Sequence, residues 1–109
     1  MKRLIQLTMI SSMLLTSNVA LAKGSGWRDI KQIGCHLNDG TCYATLDTTV
    51  GPAQCRSSSI RWNKDTAASG KETLSLLMTA STAGKKVSFN VVDTCYGNYP
   101  TFNYIVVQM

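Results

Sequence analysis

The chain has 109 residues, a formal charge of +5 and four cysteines. That length holds one domain, and the charge is too modest and dispersed to point to nucleic acid or an anionic membrane surface. Part of it sits near the start: without residues 1–22, nine basic residues against six acids leave +3.

Residues 1–22 read as a secretion signal. Lys2 and Arg3 form a short positive region, Leu4 to Leu15 is apolar with small polar interruptions, and Ala20-Leu21-Ala22 offers small residues at −3 and −1. The apolar stretch is too short for a permanent membrane span. Cleavage after Ala22 predicts a mature domain over 23–109, secreted or periplasmic, with no membrane span. All four cysteines, Cys35, Cys42, Cys55 and Cys95, fall in that domain. An even number in a short exported chain implies two disulfides, which a domain this small needs. Four cysteines allow three pairings. The preferred set is Cys35–Cys42, across a turn, and Cys55–Cys95. His36 beside Cys35 raises a zinc alternative, but the spacing matches no common finger, so neither metal nor cofactor is expected.

Residues 23–31 are polar, with Trp27 as the one candidate anchor. Gln32–Leu37 and Thr41–Asp47 are predicted strands around Asn38-Asp39-Gly40, which is strong turn chemistry. A loop over 48–54 leads to a third strand, Cys55–Asn63, with Ser58, Ile60 and Trp62 on one face and Ser57, Ser59 and Arg61 on the other. Trp62 is read as core. Ser69-Gly70-Lys71-Glu72 has the form of a capping box, and Leu74, Leu77, Met78 and Ser81 make a stripe on a helix over 70–83 that stops at Gly84. Lys86–Asp93 alternates as a half-buried strand. A turn over 95–100 precedes a last strand, Thr101–Gln108, that is apolar on both faces. Such a strand is buried on both sides or meets a partner.

The order strand, strand, strand, helix, strand, strand is that of a five-stranded OB-like barrel, here mostly β with one helix between strands 3 and 4. Residues 58–92, from Ser58-Ser59-Ile60-Arg61-Trp62 through the helix to Val87-Ser88-Phe89-Asn90-Val91, resemble the binding subunits of subtilase-cytotoxin and typhoid-toxin type. The resemblance spans roughly the last fifty residues and extends to short exported bacterial proteins. It implies a non-catalytic subunit of a homo-oligomeric ring that binds host glycans.

Sugar binding needs exposed aromatics beside amides and hydroxyls, types that Tyr96, Asn98, Tyr99 and Asn103 supply within one turn and the following strand. The same side chains also serve simply to cover a hairpin. No catalytic residues are expected: the only histidine adjoins a cysteine, no Gly-x-Ser-x-Gly elbow occurs, and the acids are scattered. The alternative to the glycan-binding ring is a monomeric periplasmic or secreted interaction or inhibitor protein.

Overall fold

The computed structural model describes residues 23–109, so the predicted signal lies outside the described residues. The strands are β1 (Lys23–Gly24), β2 (Ile30–Cys35), β3 (Thr41–Val50), β4 (Ser57–Asn63), β5 (Val87–Tyr96) and β6 (Tyr99–Val107). A 3-10 turn, Ala53–Cys55, precedes β4, and one helix, α1 (Gly70–Thr82), joins β4 to β5. These form two antiparallel three-stranded sheets, β2-β3-β4 and β1-β5-β6. The mostly β composition and single helix match expectation, whereas the six strands do not form one closed five-stranded barrel.

The N-terminal segment serves both sheets. Its first half runs along β5: Ser25 and Phe89 are bonded through the Ser25 amide and again through the Ser25 hydroxyl, and Arg28 exchanges two backbone bonds with Val87. After Arg28 the chain turns away to pair with β3 as β2. Where the sheets meet, β4 and β6 run side by side, and the Thr101 hydroxyl donates to the Arg61 carbonyl at 2.6 Å.

Inside lie Cys42, Ala44 and Leu46 from β3, Ile60 and Trp62 from β4, and Val87, Phe89 and Val91 from β5. Phe102 meets Trp62 and Phe89 edge-on, with centroids 5.6 and 5.0 Å apart, a favoured arrangement of aromatic rings. The buried Trp62 indole donates to the Gly70 carbonyl at 2.9 Å, so Trp62 is core, as read, with its polar edge satisfied. Trp27 is 44% exposed and anchors little. The disulfides are Cys35–Cys42, within the first hairpin, and Cys55–Cys95, which ties the entry of β4 to β5.

Three local readings need correction. Ser69 precedes the helix but makes no side-chain cap bond, so the predicted capping box is not formed. The helix starts where it does because Gly70 packs against the backbone of β4's exit: a Cβ there would come within 2.6 Å of the Asn63 carbonyl oxygen and Lys64 Cα. The buried helix face carries Gly70, Leu77 and Ala80, with Leu74 partly buried, and Met78 and Ser81 face outward. The stripe is rotated from the predicted one because the tight approach at Gly70 sets which row faces the sheets. Cys95 lies within β5 rather than in a turn, because the hairpin loop is only Gly97-Asn98.

The doubly apolar last strand has a simple cause. Asn90 pairs with Tyr104 but Val91 pairs with Phe102, so Asn103 is an extra residue, a β-bulge. Phe102 points inward before the bulge, and Ile105 and Val107 pack against the core after it. Tyr104 and Val106 are left outside, 57% and 44% exposed. The strand is therefore buried on one face only.

Candidate functional site

The exposed face of β2-β3-β4 gathers the chemistry. Because cross-strand partners share a face, Gly34, Tyr43 and Arg61 form one row across the three strands, with Thr41 and Asn63 in the next. The row has a packing reason. The Tyr43 ring lies flat over Gly34, where a Cβ would come 2.5 Å from the phenol oxygen, so a side chain at position 34 would evict the ring. Arg61 is braced by its Nε, which donates to the Ser59 hydroxyl at 3.3 Å. Its guanidinium carbon sits 5.3 Å from the Tyr43 ring centre and 3.5 Å from that of Tyr99, a cation–π contact with each ring.

Tyr99 arrives from the second sheet. Tyr96 and Tyr99 face each other across the Gly97-Asn98 turn, and Gly97 has φ +62°. A positive φ at the first of two loop residues is the type II′ pattern, which favours glycine there and matches the twist of the strands. The Tyr96 hydroxyl lies 2.7 Å from the Thr41 hydroxyl and accepts from Asn63 Nδ2 at 3.4 Å. That same Asn63 amide donates to the Asp39 carbonyl, while its Oδ1 accepts the backbone N–H groups of Asp65 and Thr66. One side chain thus links the β2–β3 turn, the exit of β4 and the β5–β6 hairpin.

Asp39 completes the β2–β3 turn. Its carboxylate accepts the Thr41 amide at 3.0 Å, and His36 Nδ1 lies 3.3 Å from the same oxygen. The Thr41 amide is the main reason that the carboxyl is held below its ordinary value of 3.8. His36 lies just beyond β2, exposed, rather than within a strand, and its ring centre is 6.3 Å from that of Tyr43. Both its neighbour Cys35 and Cys42 are committed to a disulfide. Among the described residues no three His, Cys, Asp or Glu side chains cluster as metal ligands.

Of the four residues singled out in the sequence, Tyr96, Asn98 and Tyr99 share one hairpin end, with Asn98 exposed. Asn103 does not join them: it is the bulge residue on β6, and its Oδ1 accepts from Asn90 Nδ2 at 2.7 Å. Tyr43 and Arg61 were not singled out. Alternation in β4 places Arg61 on the outer face, but only the register across β3 and β4 brings Tyr43 beside it.

The result is a partly exposed surface of two tyrosine rings joined by a guanidinium, bordered by hydroxyl and amide groups held by bonds to one another. Such a surface can stack against a flat, weakly polar ligand face and bond its hydroxyls. Comparison with protein-family models, curated proteins and solved structures found no match for this chain.

Proposed function

We propose that this is an exported, non-catalytic binding protein of OB-like type, and that its ligand is carbohydrate held on the Tyr43–Arg61–Tyr99 surface. The observation that carries the reading is where that surface sits. Side by side in space the strands run β2, β3, β4, then β6 and β5, with the N-terminal arm along β5. Numbered as an OB fold, β3 and β4 are strands 2 and 3, the turn at Asn38–Gly40 is the first loop, and Gly97-Asn98 is the loop between strands 4 and 5. OB folds bind oligosaccharides and oligonucleotides with that face and those two loops. Export through the signal over 1–22 and the small net charge favour sugar over nucleic acid.

Tyr96 and Asn98 border the ligand surface, and Asn103 lies outside it. A ring of identical subunits is part of the proposal: Tyr104 and Val106 offer an exposed apolar pair on the other side of β6.

The test is a glycan array with the disulfide-bonded protein, run beside its Tyr99→Ala and Arg61→Gln variants, with the solution mass measured by light scattering. Binding to defined glycans that falls at least tenfold in both variants, on a protein of several subunits, supports the reading. No glycan bound by a monomer favours an interaction or inhibitor protein instead. Glycan binding untouched by either variant places the ligand elsewhere.

A further inference from the structure

A second site lies away from the tyrosines. A groove of about 520 Å³ runs between the N-terminal arm, the middle of β5 and the segment from Thr48 to Arg56. Three cations line it, Lys23, Arg28 and Arg56, against a single carboxylate, Asp93. The described residues carry +3 in all, and the lining holds three cations to one acid, with Asp47 outside it paired to Arg28.

Two of the cations are anchored with N–H groups still to offer. Arg56 donates to the carbonyls of Gly51 and Thr49 at 3.0 and 3.4 Å, and no carboxylate pairs with it among the described residues. Arg28 donates through Nε to the Ser25 carbonyl at 2.7 Å and stands 3.7 Å from Asp47, a loose contact. A guanidinium has five N–H donors, so each keeps several to offer. Two cations elsewhere are matched at shorter range: Lys86 bonds Asp29 at 2.8 Å and Lys64 bonds Asp65 at 3.0 Å. The rest of the groove includes apolar Val50, Pro52 and Val91.

We infer that this groove binds a small organic oxyanion, its charged end between Arg28 and Arg56 and its carbon end against Val91 and Pro52. Planar guanidinium groups suit a carboxylate or a phosphate equally, because both present paired oxygens. The volume suits a small molecule, and the cations are too few and too local for a polyanion track. This site is independent of the proposed sugar surface, with which its lining shares no residue.

The experiment is amide NMR titration of the disulfide-bonded protein with inorganic phosphate, with isobutyrate, and with neutral isobutyramide. The inference requires saturable shifts at Gly51, Asp93 and Arg28 with at least one of the anions, and at least tenfold weaker response to isobutyramide. Which anion binds identifies the headgroup. Arg56→Gln should weaken the anion at least fivefold. Because Arg56 also braces its own loop, Lys23→Gln serves as a second variant: its side chain makes no bond among the described residues, and it should weaken binding two- to fivefold with an unchanged spectrum elsewhere. Neither anion binding, isobutyramide binding as well as isobutyrate, or both variants binding like the parent protein would each overturn the site.

Discussion

The two sheets have the same number of strands and two register shifts apiece, but in the first the shifts fall at the ends of the ladders, at Ile30/Gln32 and between Thr45 and Val50, and in the second they fall inside one. In β2-β3-β4, residues 41–45 pair with 59–63 in unbroken register. In β1-β5-β6, the β5–β6 ladder shifts twice within ten residues. The first sheet presents a flat outer row of Gly34, Tyr43 and Arg61. The second bends, turning Phe102 into the core and bringing Tyr99 over to that row. Regularity builds the platform and irregularity delivers the partner to it.

That contrast predicts unequal tolerance of single-residue deletions. Removing Ser59 from β4 shifts Ile60 and Trp62 to the wrong face of a ladder that runs in unbroken register from Ser59 to Asn63. Exposing both forfeits about 3–6 kcal/mol, against a total stability of about 4–13 kcal/mol for a domain this size, so this variant should lack a cooperative thermal transition. Removing Asn103 instead leaves Phe102, Ile105 and Val107 alternating inward with Tyr104 and Val106 outward. Only the bond from Asn90 is lost, about 1 kcal/mol, and a cooperative melt should survive. Equal damage from the two deletions would sink the bulge account.

The disulfides divide along the same line. Cys35–Cys42 closes a short loop inside the first sheet, with a separation of 7, whereas Cys55–Cys95 links the two sheets across a separation of 40. The chain-entropy argument gives about 2.5 kcal/mol for the first and about 4 kcal/mol for the second. Denaturant melts of the Cys35→Ala/Cys42→Ala and Cys55→Ala/Cys95→Ala double variants should rank in that order. The reverse order would mean that the short hairpin bridge also holds the Asp39–Tyr96 network together.

What the sequence disclosed follows from range. The Asn-Asp-Gly turn, the alternation of β4 and β5, the glycine stop at Gly84 and the Cys35–Cys42 bridge depend on neighbours along the chain, and each is present. The helix face does not: it turns on Gly70 meeting the exit of β4, while Ser69-x-x-Glu72 is a local pattern that tertiary packing overrides. Tyr96, Asn98 and Tyr99 could be grouped because a two-residue turn joins them. Tyr43 and Arg61 could not, since their meeting needs a register across strands and a third strand from the other sheet. Asn103 cannot be set apart from Tyr96, Asn98 and Tyr99 in the sequence, because a bulge leaves no clear mark in a run of apolar residues.

The helix start offers a paired test of that lesson. Ser69→Ala should change stability by less than about 0.5 kcal/mol, since no cap bond is lost. Gly70→Ala, normally favourable within a helix, should cost about 1–3 kcal/mol, because its methyl group meets backbone that cannot swing aside. Thermal melts decide it. A loss of about 1 kcal/mol in Ser69→Ala would restore the capping box.

The smallest effect separates two carboxylates, one from each side of this comparison. Asp39, in the β2–β3 turn of the first sheet, is lowered mainly by the Thr41 amide. Asp29, on the connecting arm, is lowered mainly by its hydrogen bond from Lys86, which leads into β5. For each, the folded carboxyl binds its proton less readily than the unfolded chain does. The stabilisation is therefore complete above the ordinary carboxylate value of 3.8 and is lost as pH falls through the lower folded value. Raising salt to about 1 M shortens the Debye length to about 3 Å. Asp29 should then move back toward its ordinary value, while Asp39, held by a neutral backbone donor, should move less. Carboxyl NMR titrations at low and high salt read both at once. Equal salt shifts would mean that the charge on His36, rather than the Thr41 amide, is what holds Asp39 down.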